Sequence, residues 1–303
     1  MTKRLAGRVA IVTGAGAGLG RSHALLLAQQ GAKVVVNDLG GAVNGVGGDS
    51  AAADKVVAEI RAAGGEAVAN YASVSDAEGA AGIIKTAMDS FGRLDILVNN
   101  AGILRDKSFS KMDMTDFDAV MGVHFMGTVY CTKAAWPIMT AQKYGRIVVT
   151  TSVAGTNGNF GQTNYGSAKM AMLGFMNCLT VEGRKNNVLT NAISPSAASR
   201  MTESLVDAER LKIMKPEHVS PAVAYLCSEE NTMSGAIIAA GFGGFGLVQY
   251  FETEGVQFDP TKEVTVDMFA EAFPRICDQS TAQPSPIGVF GRAEERLKNA
   301  GLA

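Results

Sequence analysis

Short runs of β-branched and apolar residues recur along the chain at Val9–Val12, Val34–Val36, Ala67–Asn70, Ile96–Val98, Ile147–Thr150 and Leu189–Ile193. Between them, Arg21–Gln29, Ala51–Ala63, Asp76–Phe91, Thr115–Met139, Thr163–Arg184 and Pro221–Ser228 place apolar residues three and four apart, the spacing that gives a helix one buried stripe. Strand-sized and helix-sized segments therefore alternate, which predicts βαβ units. The strand segments are apolar at consecutive positions rather than every second one. That predicts strands buried on both faces, as in a parallel sheet between two layers of helices. The expected fold class is α/β, with a doubly wound parallel sheet carrying helices on both faces.

Nothing rich in Pro or Ser interrupts residues 1–248, so they are expected to form one domain. The glycine run Gly241–Gly246 is expected to end the sheet. After Val248 the texture changes: charges and Pro260 appear, Thr265 is placed to cap a short helix through Phe273, and Pro274, Pro284 and Pro286 follow. Residues 249–303 are read as a C-terminal extension. Its Tyr250, Phe251, Phe258, Met268, Phe269 and Phe273 form an apolar set expected to pack on the core or on a partner subunit.

Composition narrows the function classes. Of 303 residues, 47% are hydrophobic and 18% charged, too apolar for disorder, and no apolar stretch reaches the roughly 18 residues of a membrane helix. The net charge is −2 with no dense basic run, so a nucleic-acid partner is not expected. Cys131, Cys178, Cys227 and Cys277 are widely spaced, which argues against a metal site and for reduced thiols in the cytoplasm. The apolar run at Val9–Val12 is too short for a signal-peptide core. The 14 methionines read as adaptable core filler.

The first strand runs into Thr13-Gly14-Ala15-Gly16-Ala17-Gly18-Leu19-Gly20 and then a helix. Glycines let the backbone approach a pyrophosphate, and the free amides of the helix start can donate to it. Asp38 ends the second strand eighteen residues after Gly20, near the position of an acid that binds an adenosine ribose. Its carboxylate would repel a 2′-phosphate, so NAD is favoured over NADP as cofactor. A bare turn before Gly40-Gly41 is the alternative role for Asp38.

Ser152 closes the fifth strand segment, and Tyr165 and Lys169 follow. Residues four apart share a helix face, so the ammonium of Lys169 is expected beside the Tyr165 phenol, where it should favour phenolate and lower the phenol's pKa. Tyr165 could then take a proton from an alcohol whose oxygen is held by Ser152.

With these residues in this order, residues 5–248 resemble the short-chain dehydrogenase/reductase family. The matching motifs are Thr13-Gly14-x3-Gly18-x-Gly20, Asn99-Asn100-Ala101-Gly102, Ser152, Tyr165 and Lys169. The resemblance implies a Rossmann-type fold and an NAD site on Gly14, Gly16, Gly18, Leu19 and Gly20, with Asp38 on the ribose. It adds the backbone of Ser73 or Val74 beside adenine, because Ala72 stands where relatives have an Asp, Asn100 supporting the central sheet beside the adenosine, and Ala101 and Gly102 at the cofactor. Ile103 borders the cofactor, the backbone at Pro195 borders the nicotinamide amide, Lys169 bonds the nicotinamide ribose, and Tyr165 also contacts the cofactor. His124 stands where the family has the Asn of a proton relay, either as a relay member or as a structural histidine. Stretches such as Asn99–Asp106 and Gly158–Tyr165 are similar to the family's (3R)-hydroxyacyl-CoA dehydrogenase branch.

The expected function is an oxidoreductase moving hydride between a secondary alcohol and NAD, with 3-hydroxyacyl-CoA as substrate. The alternatives are a hydroxysteroid dehydrogenase and a nucleotide-sensing binding module without turnover. Arg105, Lys107, Arg200 and Lys212 are candidates for the CoA phosphates. Ser196–Leu211 is the expected substrate lid, with Met201, Leu205 and Val206 lining an acyl channel. The resemblance further implies a homo-oligomer, a dimer or tetramer.

Overall fold

The computed structural model describes residues 3–197, 208–288 and 292–302. The expected lid residues Met201, Leu205 and Val206, and Arg200 with them, lie outside the described residues. The chain divides into two compact units, Met1–Leu247 and Val248–Ala303.

In the first unit the alternating segments fold as predicted into strands and helices. Strands β1 (Val9–Thr13), β2 (Lys33–Asn37), β3 (Ala67–Asn70), β4 (Ile96–Asn99), β5 (Gly145–Thr150), β6 (Val188–Ser196) and β7 (Ile237–Gly241) pair in parallel. With β8 (Gly244–Val248) they form a sheet of order β3-β2-β1-β4-β5-β6-β7-β8. Every residue of β1 and β4 is buried, as strands covered on both faces must be. Helices α1 (Gly18–Gln29), α2 (Ala51–Ala62) and α9 (Ser220–Leu226) cover one face; α3 (Ala77–Phe91), α5 (Gly127–Gln142) and α7 (Thr163–Gly183) cover the other. The shorter α4 (Met114–Met121), α6 (Val153–Thr156) and α8 (Ala208–Ile213) lie in the connections.

Helix α3 shows why these segments are helical. Asp76 accepts a hydrogen bond from the Gly79 amide at 2.7 Å, which caps the start, and Gly92 ends the helix at a φ of +74°. Between them Ala80, Ile83, Ile84 and Ala87 form one buried stripe, and each isoleucine contributes about 1.5–3 kcal/mol by leaving water. Met139, Met172 and Met176 are also buried, consistent with methionine as core filler.

Two expectations for this unit are corrected. The single helix predicted over Thr115–Met139 is interrupted by a π-helical turn at Gly122–Met126, where the Gly127 amide reaches back to the Gly122 carbonyl. One extra residue per turn leaves the apolar spacing almost unchanged, so the pattern does not reveal it. The glycine run after Ile237 does not end the sheet. Phe242 and Gly243, at φ values of +54° and +80°, make a two-residue turn into β8.

In the second unit, Thr265 caps α10 (Val266–Ile276) by accepting from the Met268 amide at 3.2 Å, as its sequence position predicts. The helix continues through Pro274 to Ile276, three residues beyond the expected end at Phe273. Strands β9 (Phe251–Glu252) and β10 (Gln283–Pro284) pair antiparallel, Thr253 donates to the Ile276 carbonyl at 2.6 Å, and α11 (Ala293–Asn299) closes the unit.

At the amino-terminal edge of the sheet, the fully buried Asp95 carboxylate accepts from the Val9 amide at 2.9 Å, from Arg8 at 3.0 Å, and from Arg93 at 2.6 and 2.8 Å. Asp95→Ala would leave a buried amide and two guanidinium groups without this partner. It is expected to lower the unfolding free energy by about 3 kcal/mol, read as a fall in the urea midpoint; an unchanged midpoint would show that this cluster contributes nothing net.

Candidate active site

The order of the strands puts β1 between β2 and β4, and the chain steps from β1 to β2 on one side and from β4 to β5 on the other. In such a sheet a crevice opens at the carboxyl ends of the strands. A cleft of about 700 Å³ lies there. Thr13 is in register with Asn37, so Gly14 and Asp38 begin their loops side by side. The Thr13 hydroxyl accepts from the amides of Asn100 and Ala101 at 3.0 and 3.1 Å, and the Asn100 side chain donates to the carbonyls of Thr13 and Gly14 at 2.9 and 3.1 Å. This knot leaves no room for side chains: a Cβ on Gly20 would lie 2.1 Å from the Gly14 carbonyl oxygen.

Helix α1 begins at this loop with no side-chain cap and no acidic residue in its first turn. Its leading amides have no intrahelical acceptor, so the helix start is built to take an anion from the cleft. The Asp38 carboxylate accepts from the amides of Gly16 and Gly40, each at 2.7 Å. It therefore fixes the glycine loop and makes the turn at Gly40 while also lining the cleft. Gly16 sits behind it and does not reach the cleft, unlike Gly14, Gly18, Leu19 and Gly20.

The three residues expected to do the chemistry come from neighbouring elements and line the same cleft. Ser152 follows β5 and caps α6, its hydroxyl accepting from the Ala154 amide at 3.1 Å. Tyr165 and Lys169 share one face of α7, with the Lys169 Nζ 5.4 Å from the centre of the phenol ring. Lys169 is buried and donates to the Thr150 carbonyl, while the Thr151 hydroxyl donates to the Lys169 carbonyl at 2.9 Å. These bonds tie α7 to the end of β5.

The ionisation of these groups differs from the sequence expectation. Burial pulls Lys169 down to about 7. Burial raises the Tyr165 phenol above its ordinary value, a hydrogen bond with Ser152 opposes this, and the charge of Asp106 adds to the rise. In the protein alone Lys169 thus does not lower the phenol. Desolvation is the largest influence on the phenol, and burial weakens the charge of Lys169 itself.

His124 lies on the π-helical turn, its ring edge-on to Tyr165 with centroids 5.2 Å apart. Its Nε2 lies 3.0 Å from the Ile103 amide and 2.8 Å from the Ile103 carbonyl, and its buried Nδ1 has no partner. Burial, then the charge of Lys169, hold it well below the usual histidine range, so the ring is neutral. Gly102 is required beneath it: a Cβ there would meet the ring at 2.1 Å.

Val74, Asn100, Ala101, Gly102 and Pro195 also border the cleft. Sequence reasoning missed others that do: the strap Leu39–Gly45, Asn159 and Gln162. The only signal for Asn159 and Gln162 is their place just ahead of Tyr165. The three expected phosphate-binding cations among the described residues are ion-paired. Arg105 pairs with Asp116, Lys107 with Asp113 and Asp116, and Lys212 with Glu209.

Residues 8–210 match the short chain dehydrogenase family. The chain is 51% identical over 276 residues to a short-chain type dehydrogenase/reductase of Mycobacterium tuberculosis, covering 91% of this chain and 96% of that one. It superposes on the full-length peroxisomal multifunctional enzyme type 2 of Drosophila melanogaster with a TM-score of 0.80 at 41% identity. That match covers 98% of this chain but only 50% of the Drosophila chain. A 7α-hydroxysteroid dehydrogenase solved with NADH and 7-oxo glycochenodeoxycholic acid superposes with a TM-score of 0.72 at 30% identity, over 80% of this chain and 96% of its own.

The lowered Lys169 has a stability consequence with a definite sign. Below pH 7 Lys169 is charged whether the protein is folded or not, and folding carries the whole cost of burying that charge. Between about 7 and the unfolded value near 10.4 the unfolded chain holds the extra proton, so stability rises with pH. Against Lys169→Met, the wild type is expected to gain roughly 1 kcal/mol or more from pH 7 to pH 10, measured by paired urea titrations. A constant difference would place the charge of Lys169 in a solvated setting.

Proposed function

The chain belongs to the short-chain dehydrogenase family, and on that premise we propose that it is an NAD-dependent oxidoreductase that oxidises the secondary alcohol of 3-hydroxyacyl-CoA thioesters or reduces the corresponding ketone. The observation that carries this reading is the convergence of Ser152, Tyr165 and Lys169 on the cleft that opens beside the uncapped start of α1. The amides of that helix start hold the pyrophosphate, and Asp38 accepts from the adenosine ribose while repelling a 2′-phosphate. Lys169 donates to the nicotinamide ribose. When bound, the oxidised nicotinamide accepts the hydride and brings a further positive charge near the phenol.

Ser152 donates to the substrate oxygen and Tyr165 exchanges a proton with it. The burial that raises the phenol also excludes water, so the added positive charge acts strongly on the proton that moves. His124 supports this from the side: its neutral ring packs on the phenol and fixes Ile103 at the border of the cleft. The acyl-CoA assignment draws on the likeness to the multifunctional enzyme.

A hydroxysteroid substrate is the second reading, favoured by the likeness to the 7α-hydroxysteroid dehydrogenase and by the pairing of Arg105 and Lys107 with acids. A working homo-oligomer and a cytoplasmic location belong to the same proposal; the location rests on four cysteines that are all free thiols.

NADH is expected to bind at least about tenfold tighter than NADPH, or about 1.4 kcal/mol, in a fluorescence titration; equal affinities would remove Asp38 from the cofactor site. Tyr165→Phe is expected to lose about 10²-fold or more in kcat with NADH affinity unchanged, and a near-normal rate would place the acid–base group elsewhere. In a panel of 3-hydroxyacyl-CoA esters and hydroxysteroids, the higher kcat/KM is expected for the esters, and the reverse order would select the steroid reading.

A further inference from the structure

Three consecutive residues, Arg105, Asp106 and Lys107, are stitched to the residues that immediately precede Tyr165. The Lys107 amide donates to the Gly161 carbonyl at 3.0 Å. The Gln162 side chain donates to the Asp106 carboxylate at 2.7 Å, and the Asn164 side chain donates to the Arg105 carbonyl at 3.0 Å. Asn164, fully buried, also accepts from the Tyr165 amide at 2.7 Å. Gln162 is nearly buried and its oxygen accepts from Asn159 at 3.0 Å, so its amide has one orientation. The clip therefore fixes the entry to α7 one to four residues from the phenol. On the Arg105–Lys107 side of the clip, Asp106 supplies the one side-chain acceptor and the one charge without an ion-pair partner, because Arg105 and Lys107 are paired with Asp116 and Asp113.

We propose that Asp106 is a positioning residue for Tyr165, holding the start of α7 through Gln162 while presenting to the phenol a negative charge that opposes its ionisation. The charge of Asp106 does act on the phenol in that direction. Among the described residues, the other groups around Tyr165 are Lys169 on the same helix, neutral His124 from the π-helical turn and the uncharged hydroxyl of Ser152 after β5. None of these brings a second negative charge. Asp106 is itself exposed at the surface, so its field on the phenol is open to screening by salt. The clip would thus hold the acid–base group in place and keep its proton on until the positive cofactor is bound. The inference rests on Tyr165 being the acid–base group.

The test is the pH dependence of kcat/KM for alcohol oxidation, which rises as the base loses its proton. Asp106→Asn keeps an acceptor for Gln162 and removes the charge. Its rising limb is expected at lower pH, giving about a twofold or larger gain in kcat/KM at a fixed pH on that limb, with NADH affinity unchanged. Gln162→Met breaks the bond and keeps the charge, so kcat is expected to fall with the limb in place. In the wild type, raising salt from about 0.01 to about 1 M should move the limb the same way as Asp106→Asn, a measurement that needs no variant. A limb that stays put in Asp106→Asn and under salt overturns the proposal. A Tyr165→Phe enzyme that keeps its activity overturns the underlying assignment instead, so the two failures are separable.

Discussion

The knot between the ends of β1 and β4 is the constraint on which the rest of the site depends. Parallel pairing brings the carboxyl ends of the strands to one edge of the sheet, but that alone leaves two adjacent loops with unpaired backbone groups. Thr13 and Asn100 satisfy them with short, geometrically fixed bonds. The turn at Gly14 can then be tight enough for α1 to start directly beneath it with its leading amides aimed into the cleft. Any side chain at Gly20 would collide with the turn. The anion site is thus made from backbone alone, which places a dipole without placing a counter-charge.

Burial, rather than pairwise attraction, decides the charges in the cleft. Lys169, Tyr165 and His124 lie within a few ångströms of each other, and in each the desolvation cost is the largest influence. The result is a site whose groups are held close to neutral before anything binds. A positive cofactor arriving in such a place changes the phenol more than it would in water, because the same low dielectric that disfavours isolated charge strengthens interaction between charges. The site is poised to respond to its cofactor.

Much of this was readable from residue order. Consecutive apolar runs identified the strands β1 to β6, and spacings of three and four identified the helices, because burial on two faces or on one stripe leaves a direct trace in composition. Ser152, Tyr165 and Lys169 were readable because a shared helix face is a matter of counting. Three things left no such trace. The π-helical turn at Gly122–Met126 preserves the apolar spacing. The direction in which Tyr165 shifts depends on how much solvent three elements jointly exclude. The clip at Arg105–Lys107 joins residues more than fifty positions apart, with two backbone carbonyls and one carboxylate as acceptors, and backbone acceptors are the same at every position. The pairing of Arg105 and Lys107 with Asp113 and Asp116 was hidden for a related reason: the acids are near in sequence, but only the fold decides which way the long side chains reach.

The chain that leaves β4 is where these constraints meet. Asn100 and Ala101 hold the glycine turn, Gly102 makes room for His124, and Ile103 bonds to its ring. Leu104 then donates to the Val43 carbonyl and Arg105 to that of Asn44, which fastens the strap Leu39–Gly45 along the cleft. Arg105, Asp106 and Lys107 finally clasp the start of α7. Eight consecutive residues therefore touch the cofactor turn, the π-helical turn, the strap and the catalytic helix in succession, mostly through backbone groups that have no alternative rotamer. A displacement of the glycine turn can reach Tyr165 along this segment without passing through the hydrophobic core, and each bond it meets must either follow or break. The parts of the cleft that bind and the parts that react are consequently set in register by one stretch of chain, and its continuity explains how residues from four separate elements keep ångström-level alignment at the edge of a sheet.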